Sequence, residues 1–324
     1  MKKIVCFGEA LIDFLAEPVQ ENQPRAFVQH AGGAPANVAV AVARLGGAAE
    51  FVGMLGADMF GDFLADCLRS MSVGVAHVRR TTVAPTALAF VSIDARGERS
   101  FSFYRPPAAD LLFRAEDFDA GVFEAAAVFH VCSNSLTEAA IADTTLAGMR
   151  RARAAGALVS FDMNLRPALW SSDIDPLPRI RAALTEADVV KLSAEEFAFL
   201  GGREREDDVL DALWLGATRL LIVTDGGAAL RWYTRRRRGR MATFDVQVID
   251  SNAAGDAFVG GLLFQLARRG IAPSALCEFA ADDAALLPSL RFAAACGAFA
   301  VTRPGAFAAM PALADIETLL AIHC

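Results

Sequence analysis

The chain has 324 residues, 54% of them hydrophobic, and a mean hydropathy of +0.36, which supports a large buried core and excludes a disordered chain. Its net charge of −7 and isoelectric point near 5.2 leave no basic footprint for nucleic acid or an anionic membrane surface. Six cysteines and four histidines are scattered without zinc-ligand spacing, and no apolar run approaches the roughly 18 residues of a membrane span, so a reduced, cytoplasmic chain is the expectation.

Taken in chain order, Lys3–Phe7 predicts a short buried strand, and Glu9 and Asp13 interrupt the stretch after it too early for a signal segment. Residues 37–45 carry a helical apolar face that stops at Gly46-Gly47; 50–55 reads as a strand and 60–71 as a helix. Residues 87–93 and 99–104 flank Asp94-Ala95-Arg96-Gly97, a hairpin turn. From about residue 125 strands at 126–131, 158–162, 189–192 and 219–224 alternate with helices at 137–154, 176–186, 194–200 and 207–215. That rhythm predicts βαβ units and a mostly parallel sheet covered on both faces. A second antiparallel pair is expected at 230–233 and 242–248 around the Arg235–Arg238 run, followed by two helices within 273–302 and a last one at 313–322. No linker or repeat divides the chain, so one domain over 1–324 is expected, with a small sheet from about 10–30 and 86–105 standing off its edge.

The densest chemistry lies in Asp250-Ser251-Asn252-Ala253-Ala254-Gly255-Asp256-Ala257-Phe258. Small residues run into an apolar helical pattern, so the N–H groups of Ala253, Ala254, Gly255 and Asp256 sit at a helix N-terminus, where they have no intrahelical acceptor and attract anions. Asp256 would repel a merely bound phosphate. Beside a phosphoryl group in transfer, it is placed to take the proton of an attacking hydroxyl. The pattern points to a kinase acting on an alcohol, with Asp256 as base and those N–H groups as an anion hole. A second small-residue segment, Ala31-Gly32-Gly33-Ala34-Pro35-Ala36-Asn37, also precedes a helix; its glycines admit close approach, and Asn37 offers a donor and an acceptor. The segment Gly8-Glu9-Ala10 lacks the G-x-G-x-x-G spacing of a dinucleotide fold.

These two segments together resemble the signatures of the ribokinase-like, phosphofructokinase-B-type sugar kinases. Further likenesses occur in family order: Gly8–Phe14; Asp162-Met163-Asn164-Leu165-Arg166-Pro167 with Leu169-Trp170, similar to a D-x-N-x-R-x-x-L-W segment of fructokinases; Lys191–Glu196, similar to N-x-x-E with Ser193 in place of asparagine; and Cys296-Gly297-Ala298. Within the family, the G-G-A-P-A-N-V-A form and Tyr104-Arg105 followed by Ala109–Leu112 look most like a fructokinase.

The resemblance implies a three-layer α/β/α domain with a small β lid, an ATP donor with Mg²⁺, frequent activation by K⁺ and frequent homodimers through the lid. It implies transfer of the γ-phosphoryl to the 6-hydroxyl of D-fructose. A 2-keto-3-deoxygluconate kinase is the same-class alternative, and a non-catalytic sugar-binding regulatory protein the alternative of another class. Asp13, Gly32, Gly33 and Asn37 would line the sugar. Arg105 and Arg166 would contact the sugar, a phosphate or a carboxylate, or else form structural ion pairs. Ser193, Thr224, Asp225, Gly226, Gly255 and Cys296 would lie on the nucleotide side. Glu196 would hold Mg²⁺ through water, and Asp250 with Asn252 would hold K⁺ or form an ordinary turn. Glycine is common in the family where Ala253 stands; alanine keeps the N–H available provided φ there is negative. Arg235–Arg238 is expected to be a solvated tip, with an effector contact as the other reading.

Overall fold

A computed structural model of the protein describes residues 1–17, 24–93, 99–105 and 107–323. The first part of the chain forms β1 (Lys3–Phe7), β2 (Leu11–Ala16), β3 (Phe27–Gly32), α1 (Ala34–Arg44), β4 (Ala49–Gly56), α2 (Met59–Ser70), β5 (Val78–Thr81), β6 (Leu88–Ile93) and β7 (Arg99–Tyr104). The predicted turn at 94–97 lies outside the described residues. The alternating part follows as β8 (Ala126–Cys132), α3 (Ala139–Ala154), β9 (Leu158–Asp162), α4 (Leu177–Glu186), β10 (Val189–Ser193), α5 (Ala194–Gly201), α6 (Glu206–Trp214) and β11 (Leu220–Thr224). The chain closes with β12 (Leu230–Tyr233), β13 (Arg238–Met241), α7 (Ala254–Arg268), α8 (Leu276–Ala281), α9 (Asp283–Ala300) and α10 (Leu313–Ile322).

Nine strands form one sheet in the order β13-β12-β11-β10-β9-β8-β1-β4-β5. All its pairs are parallel except the two at the β12 and β13 edge. Apolar residues on both faces of its strands give two cores: one beneath α1, α7 and α9, the other beneath α3, α4, α5 and α6. This is why β1, β8 and β11 read as nearly continuous hydrophobic runs rather than alternating ones. The smaller sheet, β3-β2-β6-β7, stands off this body as the lid. Because β9, β10 and β11 are parallel, Asp162, Ser193 and Thr224 all emerge at one carboxyl edge, the usual ligand side of an open α/β sheet.

One predicted strand is corrected. β12 pairs with Arg238–Met241, not with 242–248. Thr234 N donates to the Arg237 carbonyl at 2.7 Å, so the turn is tight and the return strand starts inside the arginine run. Arg238 and Arg240 alternate outward on an edge strand, where charge is tolerated and discourages pairing with another chain. The 242–248 stretch is irregular instead, and most of it walls a cavity. Among the described residues the five cysteines are free, and no helix is long and apolar enough to cross a membrane.

Candidate active site

The leading N–H groups of α7 have no acceptor within the helix, and no N-cap side chain takes them either. Ala253, at the N-cap, has φ 56 and ψ 10. The condition of a negative φ there therefore fails: the chain holds an alanine in the left-handed region, where its Cβ crowds the following carbonyl. Such strain persists where surrounding structure enforces it, often at functional sites.

Asp256 sits in this first turn and is 6% exposed. Asn37 Nδ2, from α1, donates to its Oδ2 at 2.7 Å, and Asn164 Nδ2 donates to its Oδ1 at 3.3 Å. Burial pushes the Asp256 carboxyl up from its usual range, while the Asn37 hydrogen bond and the charges of Arg166 and Lys191 pull it back. A carboxylate made more basic but kept oriented suits a general base. The sequence placed Asn37 toward the sugar; the structure adds that it holds Asp256. Asn164 was not singled out. Its signal was the asparagine two residues past the carboxyl end of β9, in a backbone position (φ 37) that asparagine tolerates better than most residues.

A cavity of about 810 Å³ opens on this turn. Its walls include Asp162, Asn164, Arg166, Lys191, Glu196, Asp250 and Asp256 together with Ala253, Ala254 and Gly255. Asp162 is 2% exposed and lies 3.2 Å from Lys191 Nζ. Burial raises its carboxyl to about 7, against the pull of Lys191 and with the push of Glu196 and Asp256. Ser193 and Glu196 form a capping box at the start of α5: Glu196 N donates to Ser193 Oγ at 3.1 Å, and Ser193 N donates to Glu196 Oε2 at 2.7 Å. Leu165 N also donates to Glu196 Oε1 at 2.7 Å, which ties α5 to the loop after β9. Asp250 takes Asn252 N at 2.8 Å and Gly305 N at 3.0 Å, so it anchors the loop before α7 whatever else it binds.

A second, more apolar cavity of about 580 Å³ adjoins the first through Thr224, Gly226, Val248, Ser251, Ala254 and Gly255. Of the predicted nucleotide-side residues, Thr224, Gly226 and Gly255 face both cavities, and Ser193 and Asp225 face the larger one. Cys296 faces neither. A Cβ built on Gly261 would lie 2.7 Å from its Sγ, so this thiol fills the α7–α9 contact, while Ala294, Gly297, Ala298 and Val301 present the cavity face of the same helix. Helical spacing turns position 296 away from its neighbours' face.

On the lid side, a Cβ on Gly32 would fall 2.4 Å from Asp13 Oδ2, and one on Gly33 2.6 Å from the Glu9 carbonyl. Glycine at these positions makes room for the Asp13 carboxylate and for the chain crossing into β2. Glu9, 1% exposed, accepts from Ala34 N at 3.2 Å and from Asn134 Nδ2 at 2.9 Å. Burial raises its carboxyl, and Arg105 opposes this. Arg105 forms the ion pair of its structural alternative: it is 2% exposed, with Nε donating to Asp110 at 2.9 Å. Arg166, in contrast, is exposed at the cavity wall and within electrostatic reach of Asp256.

The donor set suits Mg²⁺. Carboxylates outnumber cationic side chains around the larger cavity, where Asp162, Glu195, Glu196, Asp225, Asp250 and Asp256 face Arg166 and Lys191. Mg²⁺ in phosphate sites keeps several waters and uses one or two carboxylates plus the phosphates.

Comparison with known proteins gives one consistent result. Residues 1–313 match the family described as pfkB family carbohydrate kinase. Fructokinase-1 of Zea mays is 43% identical over 320 residues, spanning 98% of this chain and 97% of the relative. A solved fructokinase from Xylella fastidiosa with bound ATP superposes with a TM-score of 0.96 at 56% identity, covering 99% of this chain and 98% of that one. A fructokinase double mutant from Vibrio cholerae O395, in a fructose-, ADP- and potassium-ion-bound form, gives 0.87 at 33% identity, covering 99% and 98%.

Proposed function

The chain belongs to the pfkB family of carbohydrate kinases and has its ribokinase-like fold, and from that premise we propose that it is a fructokinase, transferring the γ-phosphoryl of ATP to the 6-hydroxyl of D-fructose. The observation that carries the chemistry is Asp256, held between Asn37 and Asn164 in the first turn of an uncapped helix that opens on the cavity. The sugar, bounded by Asp13, Gly32, Gly33 and Asn37, presents its hydroxyl to the Asp256 carboxylate, which takes the proton as the oxygen attacks. The N–H groups of Ala253, Ala254, Gly255 and Asp256 hold the charge that collects on the phosphoryl oxygens. Arg166 supplies positive charge at the mouth. ATP lies across the two cavities against Ser193, Thr224, Asp225 and Gly226. Glu196 is the residue to hold Mg²⁺, through water; the ion neutralises phosphate charge when bound. Asp250 and the Asn252 carbonyl are the candidate K⁺ ligands. Closure of the lid excludes water and suppresses ATP hydrolysis.

Fructose is favoured over 2-keto-3-deoxygluconate because Asp110 already occupies Arg105, leaving Arg166 alone to meet a substrate carboxylate. A homodimer through the lid is supported by its ring network of Phe14, Phe27, Phe90 and Tyr104; Phe27 and Tyr104 are 39% and 65% exposed. Free thiols throughout the described residues support a cytoplasmic setting. The test is ADP release with MgATP and K⁺ across fructose, 2-keto-3-deoxygluconate, ribose and adenosine. Saturable turnover on fructose is expected. Turnover on the keto acid alone would move the substrate assignment, and binding of ATP and sugar without turnover would overturn the enzyme reading.

A further inference from the structure

Most of the 242–248 stretch walls the more apolar cavity without belonging to any strand, so something other than a ladder must hold it. Its ends are tied: Thr243 Oγ1 donates to the Gly227 carbonyl at 2.8 Å, and Ile249 N donates to the Val301 carbonyl at 2.7 Å. From 242 to 249 the one buried residue is Phe244; the others are exposed or half-buried. A loop with a single buried anchor takes its position from whatever holds that anchor.

Two residues from distant elements hold the Phe244 ring. The guanidinium carbon of Arg291, on α9, lies 5.1 Å from the ring centroid. The His323 ring, at the end of α10, meets it edge-on, with centroids 5.4 Å apart and an interplanar angle of 81°. Both are favourable geometries for an aromatic ring. Arg291 Nη2 also donates to the His323 carbonyl, so the three residues form one closed group. Arg291 precedes Ala294 by three residues and Ala298 by seven, which puts it on the face of α9 that lines the cavity. Phe244 itself lines the cavity, whereas Arg291 and His323 do not. The group is therefore a clamp at the rim, with Phe244 as its inward end.

The occupant follows from the reading that ATP lies across the two cavities. The triphosphate belongs to the polar cavity and the open amides of α7, so the apolar cavity takes the base. A flat aromatic wall suits a purine ring, and a wall already fixed loses less entropy when the ligand arrives. We propose that Arg291 and His323 are positioning residues for the nucleobase of the phosphoryl donor: they fix the Phe244 ring, and through it the 242–248 wall, before the nucleotide binds. Neither takes part in the transfer itself.

The proposal rests on the ATP-dependent kinase reading, but its test does not need turnover on fructose. Arg291→Ala, Phe244→Leu and the double variant are compared with wild type for AMP-PNP affinity with Mg²⁺ by calorimetry, for melting temperature and for KM on fructose. Each single variant should weaken AMP-PNP binding about fivefold, the size of one cation–aromatic or ring contact. The double variant should also lose about fivefold, not the roughly twenty-five-fold of two independent sites, because Arg291 acts through the ring. KM for fructose should change by less than about twofold. His323→Ala, at an exposed position where folding is not at stake, should weaken AMP-PNP by about two- to threefold and add nothing in the Phe244→Leu background. Unchanged AMP-PNP affinity in Arg291→Ala and His323→Ala would overturn the proposal. Losses that multiply in the double variants would overturn it as well, since the two residues would then act by another route. The affinity comparison stands even if fructose fails as a substrate of the wild-type enzyme.

Discussion

The two helix N-termini that follow the glycine- and alanine-rich segments at 31–34 and 253–255 have opposite fates. At α1, the chain's own groups occupy the end: Glu9 takes the Ala34 N–H at 3.2 Å, Pro35 has no N–H to offer, and the Glu9 carbonyl closes over Gly33. At α7, no side chain caps the first turn, and the end opens on the larger cavity. The difference shows that a small-residue loop before a helix does not by itself make an anion site. What matters is whether the free amides remain unclaimed, and of these two ends it is the α7 one that meets that condition. The sealed end does a different task, presenting Asn37 to Asp256.

The largest effect separating the two ends should come from the open one. Asp256→Asn should lose about 10²–10⁴ in kcat, the range of a general base, with the melting temperature preserved, as followed by ADP release and thermal unfolding. At the sealed end the loss should be in stability instead. Glu9→Ala leaves Ala34 N and Asn134 Nδ2 without their acceptor, at about 1–3 kcal/mol for each buried donor, and denaturant titration measures it. A large loss of kcat with unchanged stability in Glu9→Ala would break the contrast.

Much of this contrast was legible in the sequence and some was not, for a physical reason. Strand and helix periods are local, so the parallel sheet and the start of α7 could be read from short windows. Asp256 could be read as the candidate base because its loop and its helix are contiguous. Contacts across the fold were not: Asn37 and Asp256 are 219 positions apart, and Asn164 and Asp256 are 92 apart. Glu9 as the seal of α1 and Arg105 tied to Asp110 both depend on where separate strands end in space. The φ of Ala253 is likewise invisible in a residue name, and Cys296 was read with its motif neighbours although its side chain turns to α7.

Smaller effects sharpen the account of the open end. Asp162 has its carboxyl raised to about 7 from 3.8, so between those values the folded protein binds more protons than the unfolded chain, and stability falls as pH rises through that window. Above about 7 its contribution levels off. Asp162→Asn should flatten the melting temperature against pH between pH 5 and 7, relative to wild type. Ala253→Gly should relieve the left-handed strain and stabilise by about 1 kcal/mol, seen as a rise in melting temperature of about 1–2 °C; no gain would mean that the loop does not strain the alanine. The smallest effect belongs to the hairpin tip, where Arg235 and Arg236 are exposed. Replacing both by alanine should change stability by no more than about 0.5 kcal/mol and leave fructose turnover unaltered.

The most direct test of the central claim is a crystal structure with MgADP, fructose and aluminium fluoride, which mimics the phosphoryl in transfer. The fluoride should lie within hydrogen-bond distance of the first amides of α7, with the sugar 6-hydroxyl facing Asp256. Fluoride bound away from that turn, or a 6-hydroxyl directed away from Asp256, would contradict it.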